Sequence, residues 1–118
     1  MAYNTIYTQK GEEATVDALD TAVVTYIHMG TGGTDAAKGD TALGTPWGGA
    51  RVIATKTQPA ADKWRHVAQL TADGILGIIE AGVFDHLTTG LLWIRTNFAV
   101  INLVSGNILE LTFDLEFA

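Results

Sequence analysis

From Leu109 to Phe117 the chain alternates strictly: Leu109, Leu111, Phe113, Leu115 and Phe117 interleave with Glu110, Thr112, Asp114 and Glu116. Successive side chains of an extended strand point to opposite faces, so this pattern predicts a strand with five apolar groups turned inward and three carboxylates turned outward. Like charges along that outer row also discourage stray edge pairing. Leu91–Phe98 predicts a second strand, with Leu92, Ile94 and Phe98 on one face and Trp93 and Arg95 on the other. The apolar run Ile75–Phe84 is interrupted by Gly77, Glu80 and Gly82, which suits a strand with a bulge or a close backbone neighbour better than a helix. Asp85–Gly90 supplies the turn between these two runs. Further back, the β-branched stretch Ala22–Met29 predicts a strand, and Arg51–Thr57 and Lys63–Thr71 two more, joined through Gln58, Pro59, Ala60 and Ala61.

Two segments lack this patterning. Gly30–Gly49 holds seven of the thirteen glycines and only the brief Ala36-Ala37-Lys38 patch with helical preference, so it is expected to be a long loop. Long loops in compact domains usually carry contacts. Residues 1–20 show little periodicity and hold the acids Glu12, Glu13, Asp17 and Asp20, which predicts an extended arm ahead of one domain over residues 21–118. The expected fold is all-β: an antiparallel β-sandwich, jelly-roll-like, of six or seven short strands.

With 118 residues, 47% of them hydrophobic, the chain suffices for one core. There is no cysteine, so disulfides and thiolate metal sites play no part. Seven Lys and Arg against thirteen Asp and Glu give a net charge of -6, and the cations are spread along the chain, which argues against a nucleic-acid partner. No apolar run reaches the roughly 18 residues of a membrane helix, and no signal-like stretch opens the chain, so synthesis in the cytoplasm is expected.

Candidate chemistry is sparse. Gly30-Thr31-Gly32-Gly33-Thr34 lacks the Gly-Lys-Ser/Thr ending of a phosphate loop and is read as turn-forming glycine. His28, His66 and His86 have no partners at metal-ligand spacing; the first two are expected to be hydrogen-bonded core or interface residues and the third a turn residue. Asp35 and Asp40 flank a loop in which Lys38 would sit inside any calcium cage, so an Asp-capped turn is expected. The only serine, Ser105, lies in a predicted turn, and no nucleophile elbow is present. No catalytic residue, cofactor or metal ligand is therefore assigned. Glu80, the only carboxylate in an otherwise apolar strand, is expected to be an ion-paired structural group, with Arg51 or Arg95 as partner. Trp47, Arg51, Trp64, Arg65, Trp93 and Arg95 are the candidates for amphipathic interface contacts. Read differently, Trp47, Trp64 and Trp93 would form the stacking platform of a carbohydrate-binding module.

The run Tyr26-Ile27-His28-Met29-Gly30-Thr31-Gly32-Gly33-Thr34, followed by Gly39-Asp40-Thr41-Ala42-Leu43-Gly44-Thr45-Pro46 and Arg51, resembles a family of small tailed-phage virion proteins. In these an opening strand runs into a Gly-Thr-Gly loop. Gly77–Asp85, Gly90–Phe98 and the alternating final strand fit the same resemblance, which covers roughly residues 22–118. A similar Glu-x-Gly-Leu-Phe turn occurs in phage tail-fibre attachment domains. The resemblance implies a virion structural protein with no catalytic residues, in one of two stations. The first is a capsid decoration or cement protein, trimeric, bound to the major capsid protein lattice and stabilising the head. The second is a tail-fibre or baseplate adaptor. In either case the partners would be other virion proteins and further copies of the chain, the N-terminal arm adding to a neighbour.

Overall fold

The computed structural model describes residues 5–117. It contains one helix, α1 (Gln9–Ala22), and seven strands: β1 (Tyr26–Gly30), β2 (Val52–Ile53), β3 (Thr55–Ala60), β4 (Lys63–Thr71), β5 (Leu76–Phe84), β6 (Leu92–Leu103) and β7 (Ile108–Glu116). The strands form two antiparallel sheets, one ordered β2-β1-β5-β6 and the other β3-β4-β7. The chain moves between sheets at three points: Ala54, residues 72–75 and the turn at 104–107.

Period-two patterning explains the three-stranded sheet directly. Along β4, Trp64, His66, Ala68 and Leu70 are buried while their neighbours are more exposed, and β7 repeats this with Leu111 and Phe113. The register sets Trp64 opposite Leu115, His66 opposite Phe113 and Ala68 opposite Leu111, so both strands turn the same face inward. On the outer face Arg65 lies across from Asp114, joined by a two-pronged ion pair at 2.8 and 2.9 Å. One cluster of buried side chains draws on both sheets: Ile27, Met29, Ile78, Ala81, Val83 and Leu103 from the four-stranded sheet, and Ala68, Leu70, Leu111 and Phe113 from the other.

The four-stranded sheet departs from simple alternation. In β1 four consecutive residues, Ile27–Gly30, are buried, and in β5 all of Glu80–Phe84 are. Both faces of its central strands are covered, because residues 31–51 fold back over the face that points away from the shared core. The neck of this loop is zipped by Thr31 N–H to Thr45 O and Trp47 N–H to Met29 O, each 2.9 Å, and Gly30 bridges Pro46. Gly82 lets the loop close in, since a Cβ there would lie 2.9 Å from Leu92 Cδ1 and 3.0 Å from Leu43 Cδ2.

Two expectations are corrected by these elements. The extended arm over 1–20 is instead a helix across Gln9–Ala22, with residues 1–4 outside the described part of the chain. Thr8 caps it, its Oγ1 accepting from Gly11 N–H at 3.1 Å, and Glu12 in the first turn suits the positive end of the helix. Only Val16 of the helix is buried, so polar contacts do most of the docking. Lys56 on β3 donates to the carbonyls of Asp20 and Val23 at the helix C-terminus, and the Trp64 indole donates to Asp20 Oδ1 at 3.0 Å. Second, β6 runs five residues past Phe98. Its pairing with β5 jumps from Asn97–Glu80 to Ile101–Ile78, an irregularity that lets Phe98 and Ile101 both pack on the core although three residues apart.

Candidate functional site

Glu80 is fully buried on β5, and its two oxygens are divided between the loop and the neighbouring strand. Oε2 accepts the backbone N–H groups of Gly32 and Thr45 at 2.7 and 2.8 Å; Oε1 accepts that of Gly44 at 2.7 Å and the Arg95 guanidinium at 3.0 and 3.2 Å. Burial alone would push this carboxyl's pKa up, but the three amides and Arg95 outweigh it and hold the pKa below its ordinary value. Arg95 reaches onward, donating to Asp40 Oδ2 at 2.8 Å and to the Thr34 carbonyl at 2.7 Å. Asp40 in turn accepts the Ala37 N–H at 2.7 Å, forming an Asp-capped turn; that bond and Arg95 lower its pKa. Asn97, next along the same face of β6, accepts from Ala36 N–H and donates to Asp35. The loop is thus fixed to the sheet by charge-assisted bonds to one carboxylate and one guanidinium.

The expected Glu80 ion pair forms with Arg95, at 3.0 Å, and not with Arg51. That pairing removes Arg95 from the interface candidates: its side chain is 4% exposed and fully engaged within the chain. Trp64 is removed as well, at 1% exposure, its ring against His66 with centroids 4.2 Å apart and edge-on to Trp93 at 5.9 Å. Trp47 is half-buried against the core with its indole N–H on Asp73. Arg65 is half-exposed and paired with Asp114. Of the three tryptophans only Trp93 is exposed, so they form no common platform. The segment Glu80-Ala81-Gly82-Val83-Phe84, a turn in the tail-fibre resemblance, is here the last part of strand β5; the turn follows it.

That turn is built around Asp85 and His86. Asp85 accepts the Leu91 N–H at 2.8 Å and the Trp93 indole N–H at 3.1 Å, which hold its pKa down, and His86 Nδ1 accepts from the N–H groups of Thr88 and Thr89. Arg51 closes the same turn: its Nη1 donates to the carbonyls of His86 and Thr89, and its guanidinium lies 3.6 Å over the Phe84 ring. Between the turn and the loop lies a cavity of about 400 Å³ whose lining includes His28, Leu43, Arg51, Phe84 and Leu87. His28 Nε2 bonds the Gly49 carbonyl at 2.9 Å; burial is the main cause that lowers its pKa. A second recess, of about 430 Å³, runs beside β6, bordered by Lys38, Trp93, Arg95 and Leu115.

His66 is a hydrogen-bonded core histidine, as expected. Its Nδ1 meets Thr25 Oγ1 at 2.9 Å, while Nε2 has no hydrogen-bond partner among the described residues. Burial, and secondarily the charge of Lys56, pushes its pKa down to about 4. Of the exposed apolar side chains, four lie at one end of the sheets. Ile75, Val100, Val104 and Ile108 are 89, 55, 54 and 61% exposed. They gather where the connections 72–75 and 104–107 meet, which the bonds between Ala72 and the Gly106-Asn107 turn place side by side. Leu76 pairs with Leu103, so Ile75 and Val104 continue neighbouring strand ends, and Val100 lies over Gly77. Among the described residues the outer edge of β6 has no strand partner. No family model matches the sequence, and no curated protein is similar to it.

Proposed function

We propose that the chain is a structural subunit of a tailed-phage particle, its two sheets forming a jelly-roll-like β-sandwich that works by packing against other proteins. The observation that carries this reading is the exposed apolar end, Ile75, Val100, Val104 and Ile108, beside the open edge of β6. Contiguous exposed apolar side chains mark contact surfaces, and an unpaired edge strand is a template for further pairing. The loop anchored on Glu80 and Arg95 supports the same reading, since a segment held by a buried charge network presents a rigid outer surface.

Within that setting the first assignment is a capsid decoration or cement protein, trimeric, seated on the major capsid lattice and stabilising the head. The second is a tail-fibre or baseplate adaptor. Of the sequence-derived contact residues, Arg65 and Trp93 keep exposed side chains, and they join the apolar end as the surface that would meet partners. A cryo-electron-microscopy map of the native particle tests both. Density for this chain at three-fold or quasi-three-fold points of the shell supports the cement role, density confined to the tail moves it to the adaptor role, and density at neither refutes the proposal.

A further inference from the structure

The cavity between the long loop and the Asp85–Gly90 turn contains a cation that makes no salt bridge among the described residues. Among the described residues Arg51 forms no ion pair, whereas Lys10, Lys63, Arg65 and Arg95 all do. Its Nη1 hydrogens go to the carbonyls of His86 and Thr89, at 2.8 and 2.7 Å, and its plane rests on Phe84. The side chain is therefore fixed, yet its Nε and Nη2 donors have no acceptor among the described residues. Asp85 is close enough to act on the charge, but its oxygens are committed to Leu91 N–H and the Trp93 indole. Burial pushes the Arg51 pKa below its ordinary value, and Asp85 only partly opposes this.

An immobilised guanidinium with one edge unused offers the two parallel N–H bonds that a planar carboxylate accepts side by side. Apolar surface dominates the rest of the lining, from Leu43, Pro46, Phe84 and Leu87, with His28 and three threonines beside it. Cavities of a few hundred Å³ with apolar walls and one or two fixed polar groups are the usual form of small-ligand sites. We propose that this cavity binds a small carboxylate with an apolar body, Arg51 taking the carboxylate and the walls taking the hydrocarbon. A single cation and few further donors suit one negative charge better than the two of a phosphate. This inference stands independently of the virion assignment.

The test is a two-dimensional amide NMR titration of the full chain with benzoate and hexanoate, against benzamide, hexanamide and inorganic phosphate. The carboxylates are expected to shift Leu43, Phe84 and Thr89 together, at least tenfold more tightly than the matched amides and phosphate. Arg51→Gln should abolish that preference. Because Arg51 also braces the turn, Ala42→Trp, at an exposed position on the cavity wall, serves as a second variant and should block binding with the turn intact. Equal binding of acid and amide, tighter binding of phosphate, or no shift with any carboxylate up to about 10 mM would each overturn the proposal.

Discussion

Replacing Glu80 by Gln isolates the charge that holds the long loop. Glutamine keeps the shape but supplies one acceptor oxygen where the carboxylate has two. If the amide oxygen takes the place of Oε2, it retains Gly32 and Thr45, and its NH2 then faces the Gly44 N–H and the Arg95 guanidinium. The opposite orientation retains Gly44 and Arg95 and sets donor against donor at Gly32 and Thr45. Either way two partner groups lose a charged acceptor, at roughly 1.5–3 kcal/mol each, which agrees with the 3–5 kcal/mol typical of breaking a buried ion pair. We expect Glu80→Gln to lower unfolding stability by about 3–5 kcal/mol, read from urea denaturation midpoints at constant slope. Amide exchange should accelerate at Gly32, Gly44 and Thr45 ahead of the core strands. A loss below about 1 kcal/mol with unchanged exchange at those three amides would refute the idea that the carboxylate anchors the loop.

Four further outcomes follow from other parts of the molecule. His66 is held neutral, with a pKa of about 4 folded against about 6.5 unfolded, so its contribution is complete above pH 6.5 and lost as pH falls toward 4. At about 1.4 kcal/mol per pH unit that amounts to about 3 kcal/mol; His28, also lowered, adds to the same window, so the His66 share is read as the slope that His66→Gln removes between pH 6.5 and 4.5. Lys56→Met withdraws the cation from the carbonyls of Asp20 and Val23 and should cost about 1 kcal/mol, with faster exchange in α1 and unchanged protection in β4 and β7. Gly82→Val drives a side chain into Leu43 and Leu92 and should destabilise by about 1–3 kcal/mol by thermal denaturation. Ile75→Lys with Ile108→Lys should leave the monomer folded by circular dichroism and abolish its incorporation into particles; undiminished incorporation would remove the apolar end from the contact surface.

What the sequence made legible depended on whether one physical signal acted alone. The final strand faces water on one side and the core on the other, so strict alternation located it within a residue. The Glu80–Arg95 pair was recoverable for a related reason: a lone carboxylate in an apolar run must be compensated, and few cations were available. The helix was not legible, because its single buried residue, Val16, leaves no apolar stripe to detect and Gly11 lowers its propensity. Its docking is held instead by Lys56 and Trp64, contributed from β3 and β4 some 33 to 44 residues away in sequence. A local signal did exist in the capping threonine at position 8 with acids following in the first turns. The misplacement of Trp64 and Arg95 on an interface has one source: amphipathic side chains flanked by charges look alike whether they meet a partner or another part of their own chain.

The covered outer face of the four-stranded sheet ties these results together. A sheet whose second face met water would carry polar side chains there, yet β1 and β5 present His28, Gly30, Glu80, Gly82 and Phe84, two of them too small to cover anything and two able to bond. That composition makes sense only if backbone lies directly on the sheet, with glycines giving it room and Glu80 satisfying amides that would otherwise be buried without acceptors. A glycine-rich loop of twenty residues, entropically expensive to order, becomes a fixed layer because one carboxylate closes its two ends and one arginine holds its middle. The cavity at Arg51 is a consequence of the same arrangement, since it occupies the seam where this added layer stops short of the Asp85–Gly90 turn. Loosening the layer should therefore loosen the cavity: in Glu80→Gln, carboxylate binding at Arg51 should weaken together with the exchange protection of Gly44, although Glu80 itself is no part of the cavity lining.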